Sequence, residues 1–168
     1  VAAIIYPPAH AIDGLLRTLA DRLAARGWRI GGVIQTRQAD DGCAGMLLED
    51  IKSGTKRSIA QNLGKLSTSC KLDSSVMADI AGDLERQIDA GLDLLVINRF
   101  GKLEFDGGGL RSVIERAIIA GTPVLTGVRD INSEAWAGFH GGLGASLPPD
   151  AAAAIAWAES LLEQSRQI

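Results

Sequence analysis

Three apolar runs of this chain, at residues 30–35, 93–98 and 122–127, are each followed within two residues by an arginine, namely Arg37, Arg99 and Arg129. A fourth run ends in Tyr6 and leads through Pro7-Pro8-Ala9 to His10, and Lys102 lies close behind Arg99. Gly107-Gly108-Gly109 comes before a helical pattern, with Arg111 next to it. Guanidinium and ammonium groups attract negative charge, and so do bare amides at a helix start. The chemistry these residues suggest is recognition of an oxyanion or a phosphate-bearing small molecule without turnover. The candidate ligand-binding residues are Tyr6, His10, Asp13, Arg37, Asn98, Arg99, Lys102, Gly108, Gly109, Arg111 and Arg129. The plainer alternative is that the charges are solvated loop residues and the glycines are turns.

Other chemistries find less support. Cys43, Cys70, His10 and His140 are metal-ligand types, but without a Cys-x-x-Cys or His-x-x-x-His pair no metal site is expected, and the cysteines read as buried or bystander residues whose proximity in space the sequence leaves open. Cys70 beside Lys71 is the one thiol with a charge that favours its ionised form. Ser69, His10 and Asp73 make no convincing hydrolytic set, and Glu104 with Asp106 reads as two solvated loop acids rather than an acid/base pair. Gly141-Gly142-Leu143-Gly144 has neither the preceding strand nor the spacing of a dinucleotide fingerprint, and reads as a flap.

The elements that must position these groups alternate between strand and helix. After the first strand, Leu15, Leu16, Leu19, Ala20, Leu23 and Ala24 share a helical face, with Asp13 as the expected cap and Gly27 as the stop. A second strand at 30–35 completes a crossover unit. Residues 46–51 and 56–60 flank Lys52-Ser53-Gly54-Thr55 and read as a β-hairpin appended to the sheet. Residues 61–72 show no clear period. Val76, Ile80, Leu84 and Ile88 mark a helix, the run 93–98 a strand buried on both faces, and 99–109 a loop. A helix near 110–118, a strand at 122–127, a short helix around Trp136 and a final helix from 150 to about 164 follow. The pattern predicts one α/β domain over 1–168, a three-layer α/β/α arrangement with a mostly parallel sheet and a β-hairpin insertion. The loops at the strands' carboxyl ends should then gather the candidate residues at one edge.

Composition narrows the function. The 168 residues carry 17 Lys+Arg against 20 Asp+Glu, a net charge of −3, and only seven aromatic side chains, which argues against a nucleic-acid partner. No apolar run approaches the roughly 18 residues of a membrane span, and the apolar start reads as a buried strand rather than an export signal. A cytoplasmic location is expected, and the two isolated cysteines agree with a reducing compartment.

In order and texture the chain resembles the small P-loop nucleoside-triphosphatases of the cancer-related NTPase type over about residues 1–129. The likeness rests on strand, loop, helix, strand, a hairpin with a Ser-Gly turn, and an apolar strand running into Phe100-Gly101-Lys102-Leu103-Glu104. Asn98-Arg99-Phe100-Gly101-Lys102, Leu110-Arg111 and Ser69-Cys70-Lys71-Leu72-Asp73 resemble a bacterial family of uncharacterised proteins, which implies an association with molybdenum metabolism. The resemblance implies a P-loop NTPase-like fold. Against G-x-x-x-x-G-K-[ST], however, Tyr6 and Ala11 stand at the glycine positions, Ile12 at the lysine and Asp13 at the hydroxyl. Asn98 and Arg99 stand where acidic residues would hold Mg²⁺ and activate water. The expectation is therefore a non-hydrolysing binder or regulator of an anionic small molecule, a nucleotide or an oxyanion such as molybdate, with no cofactor named. Residual nucleoside-triphosphatase or phosphotransferase activity is the alternative, and a third is an interaction module whose hairpin and last helix form a homo-oligomer or partner surface.

Overall fold

The computed structural model describes residues 1–38, 45–61 and 70–166. The first apolar run forms β1, Ala2–Tyr6, and the periodic segment after it forms α1, Ile12–Ala25. β2 spans Ile30–Arg37, and the hairpin strands are β3, Met46–Asp50, and β4, Lys56–Ser58. α2, Ser74–Asp89, leads into β5, Leu94–Arg99, then a one-turn α3, Lys102–Phe105, and α4, Arg111–Ile119. β6, Val124–Arg129, α5, Ser133–His140, β7, Ala145–Leu147, and α6, Ala151–Arg166, complete the order.

The strands form one sheet in the order β4-β3-β2-β5-β6-β1-β7. From β2 to β7 the neighbours are parallel, and the hairpin extends the β2 edge with two antiparallel strands. Alternation along β1 sends Ala2, Ile4 and Tyr6 to a layer with Leu16, Leu19 and Leu23 of α1 and Ile155 and Leu162 of α6. Ala3 faces the opposite layer, which holds Leu84 of α2, Val113 and Ile114 of α4 and Trp136 of α5. The three-layer α/β/α arrangement is thus the expected one, and α6 has its apolar stripe buried inside the molecule.

The order of connections places a topological switch point between β1 and β6. The chain leaves β1 through α1 on one face and passes β6 and β5 to reach β2. It leaves β6 through α5 on the other face and passes β1 to reach β7. Neighbouring strands that send their connections in opposite directions open a crevice at their carboxyl ends. Tyr6 and Arg129 are paired in register at that point.

Several local expectations are corrected. α1 begins at Ile12 after Ala11 with no side-chain cap, so Asp13 lies inside the first turn, where its charge faces the positive end of the helix. The 99–109 segment is not wholly a loop, because Glu104 folds α3 within it. β7 follows the glycine-rich 141–144 stretch, and three residues are too few for periodicity to announce a strand. Cys70 is disulfide-bonded rather than a free thiol, while Cys43 and Ser69 fall outside the described residues. No described helix is long and apolar enough to cross a membrane.

The hairpin is tied down electrostatically. Arg57 of β4 pairs with Asp83 of α2, which also pairs with Arg86, and Gln87 donates to Asp50 at 2.5 Å. The hydrogen bond from Arg57 is the main reason the Asp83 carboxyl lies below its ordinary range, and burial opposes it. A depressed carboxyl contributes stability above its unfolded-state value and loses it as pH falls through the folded-state one. Asp83→Asn is accordingly expected to lower the urea midpoint at neutral pH and to lose that effect below the carboxylate range.

Backbone contact requires glycine at position 32. Its φ is +119°, and a Cβ there would stand 1.9 Å from the Val96 carbonyl oxygen on β5. Gly32→Ala should destabilise by about 3 kcal/mol or more through strain and overpacking. Gly82→Ala, inside α2 where an added Cβ meets nothing closer than 3.6 Å, should stabilise by about 0.5–1 kcal/mol. Paired urea titrations test both signs.

Candidate functional site

At the carboxyl end of β1, Tyr6 is 3% exposed, which strips water from its phenol. Burial raises the phenol pKa, the guanidiniums of Arg99 and Arg129 pull it back, and the Asp13 carboxylate adds to the rise. Tyr6, Asp13, Arg99 and Arg129 therefore share one electrostatic neighbourhood. Arg99 Nη2 lies 3.8 Å from Asp13 Oδ2, with the two side chains 49% and 41% exposed, a loose ion pair open to solvent. His10 Nδ1, Asp13 Oδ1 and Arg129 Nε are buried without hydrogen-bond partners. These groups come from the ends of β1, β5 and β6 and from the first turn of α1.

The loop between β1 and α1 occupies the place of a phosphate loop with different chemistry. The His10 amide donates to Pro7 O at 3.1 Å and the Ile12 amide to His10 O at 3.0 Å, so both are used within the loop. Ile12, at the lysine position, is 2% exposed. A Cβ on Gly127 would meet Ile12 Cγ1 at 2.8 Å and Tyr6 Cε1 at 3.2 Å. An aliphatic side chain and an aromatic ring thus fill the space against β6, and Gly127 has no side chain because there is no room for one.

Asn98 is placed by an irregularity. The β5–β6 register runs Ile97↔Thr126 and then Arg99↔Gly127, so Asn98 is the extra residue of a β-bulge. It is 2% exposed, and neither Oδ1 nor Nδ2 has a partner. Ile97 and Asn98 both line a cavity beneath the hairpin, as consecutive residues of a regular strand would not. Gln35, Arg99 and Lys102 share that wall.

The remaining candidates are employed elsewhere. Glu104 Oε2 accepts from the Gly101 amide at 3.0 Å and Oε1 from the Leu110 amide at 3.2 Å. The chain's own carboxylate thereby takes amide donors around Gly108 and Gly109, and Gly109 has a φ of +57° in which a Cβ would strike Glu104 Oε1 at 2.1 Å. Arg111 donates to Glu115 at 2.7 Å and to the Glu104 carbonyl, and lies 5.0 Å from the Phe139 ring. Lys102 pairs with Asp106 at 2.7 Å. Arg37 is exposed at the end of β2, with β5 and β6 between it and β1. His140 Nδ1 accepts from the Gly142 and Gly144 amides, and no cluster of three or more His, Cys, Asp or Glu among the described residues could hold a metal ion.

Sequence reasoning missed the clip made by Glu104, although Gly101-Lys102-Leu103-Glu104 has the spacing in which a carboxylate reaches back to the amide at the helix start. It also missed the cavity walls contributed by Met46, Leu48, Ile59 and Met77, which only the folding-over of the hairpin assembles.

A parallel sheet between two helical layers, with an opening strand–loop–helix at its switch point, defines an α/β protein of P-loop NTPase-like fold. Over residues 1–157 the chain matches the family described as protein of unknown function DUF2478, and it belongs to that family. It is 42% identical over 159 residues to the molybdenum import ATP-binding protein ModC 2 of Bradyrhizobium diazoefficiens. The match covers 94% of this chain and 18% of that relative. No solved structure matches the chain.

If Glu104 organises the 101–110 segment, Glu104→Ala should cost about 2–3 kcal/mol, the scale of hydrogen bonds from buried donors to a charged acceptor. Glu104→Gln, which keeps one carbonyl oxygen, should cost less. Chemical denaturation of the two variants checks the order.

Proposed function

We propose that this chain is an anion-recognising module that holds a small oxyanion of the molybdate class at the β1/β6 crevice and does not hydrolyse nucleoside triphosphates. The observation that carries the reading is that Tyr6 and Arg129 pair in register at the switch point, with both Arg99 and Arg129 acting electrostatically on the buried phenol. A tetrahedral dianion is small enough to be held by two guanidiniums and a hydroxyl, and charge-assisted hydrogen bonds of this type are the strong ones. Asp13 supplies the countercharge to Arg99, and an incoming oxyanion competes with it.

The chemistry needed for triphosphate cleavage is poorly supported by these residues. A phosphate grip uses a lysine and glycine amides, and Mg²⁺ needs a carboxylate at the strand end. Here the lysine position is a buried isoleucine, Pro7 and Pro8 lack amide donors, and the strand ends in neutral Asn98 and cationic Arg99. Within the oxyanions, the likeness to a protein named for molybdenum import favours molybdate.

Calorimetry and thermal denaturation with sodium molybdate test the reading, alongside phosphate release from Mg-ATP and Mg-GTP. Molybdate should raise the melting temperature saturably, because a ligand of the native state stabilises it. Arg99→Ala and Arg129→Ala should each weaken binding about tenfold or more, and Asp13→Asn should strengthen it by removing the competing carboxylate. Turnover of either triphosphate near about 1 s⁻¹, lost on altering Asp13, would overturn the proposal.

A further inference from the structure

We infer that the cavity beneath the hairpin is a second binding site, for a small amphipathic carboxylate whose apolar body fills the interior and whose charge meets Arg99 and Lys102 at the rim. The inference goes beyond the oxyanion reading and does not depend on it.

The cavity holds about 220 Å³. An apolar cavity of about 150 Å³ takes benzene and sites for drug-sized ligands start at roughly 300 Å³, so this one fits a ring with a small substituent. Met46, Leu48, Met77 and Ile97 supply its walls. The methionines are the chain's only two, and thioethers adapt in shape and make favourable contacts with aromatic rings. Leu72 and Leu103 line the same cavity and leave apolar surface open to water. A guest that covers them removes that surface from solvent, which drives its entry.

The polar groups on these walls are of two kinds. Asn98 Oδ1 and Nδ2 are buried, and the Glu104 carboxylate is occupied by the Gly101 and Leu110 amides. Neither is open to a guest. Arg99 and Lys102 differ, with side chains 49% and 87% exposed. Their carboxylate neighbours, Asp13 at 3.8 Å and Asp106 at 2.7 Å, are exposed as well, and ion pairs in such surroundings contribute little, so an anion can exchange with them. The cavity thus has an apolar interior and a cationic rim. A hydrocarbon would fill the interior and leave the rim unused, and a bare anion such as acetate would meet the rim without filling the interior. A guest with both parts complements the whole site.

The test uses the full chain, labelled at the methionine methyls, titrated with benzoate, benzamide and acetate. Benzoate and benzamide share a ring and nearly a shape, and differ in charge. We expect benzoate to shift the Met46 and Met77 methyl signals saturably and to bind at least about tenfold more tightly than benzamide, with acetate leaving both signals in place. The double variant Arg99→Ala/Lys102→Ala, which alters two exposed side chains, should bind the two rings alike while the methyl signals still respond. If this variant fails to fold, the comparison in the unaltered protein decides by itself. Equal affinity for the two rings in the unaltered protein, a preference for benzoate that survives in the double variant, or no response at either methionine would overturn the inference.

Discussion

Burial of Ile12 at the first position of α1 governs what this edge of the sheet can bind. An aliphatic side chain there packs toward Gly127 and beside the Tyr6 ring, and it closes the space into which a cationic side chain would project from a phosphate loop. Replacing isoleucine by lysine would place a charge in a dry, close-packed site, which is costly without a partner. Under the proposed reading, recognition of negative charge falls to side chains from the ends of β5 and β6. Guanidiniums suit the task because their fixed fork of donors does not rely on backbone amides.

Charge at this edge divides into groups with an internal partner and groups without one. Glu104 supplies its own loop with an acceptor, Lys102 has Asp106, and Arg111 has Glu115. Arg129 and Tyr6 are left in the crevice, and Arg99 is only loosely joined to Asp13. The loop that carries the most glycine is thus self-satisfied, and the anion-attracting groups lie one strand away. Asn98 and Arg99 both lie on the wall of the cavity beneath the hairpin, and Arg99 also reaches Asp13 of α1.

Much of the fold was legible because its signals are local. Runs such as 93–98 lack alternation because both faces of a parallel strand are covered, and the four-residue spacing of Ile80, Leu84 and Ile88 marks the buried face of α2. The hairpin turn could be read from Gly54, whose φ is +71°. α3 and β7 were not legible, since one turn of helix and three residues of strand are too short to repeat the period that would reveal them. The disulfide at Cys70 was missed for another reason: spacing along the chain does not report proximity in space.

The order of residue types alone determined the layered α/β plan and the residue types at the ends of the strands, since both depend on what each position holds. Only the tertiary structure decided which charges meet. Register pairs Tyr6 with Arg129, α1 carries Asp13 to Arg99, and a bulge interrupts β5 at Asn98. Electrostatic interactions between exposed charges fade beyond about 10 Å at ordinary ionic strength, whereas these residues lie tens of positions apart in sequence. Their proximity is a property of strand order and register, which no local pattern encodes.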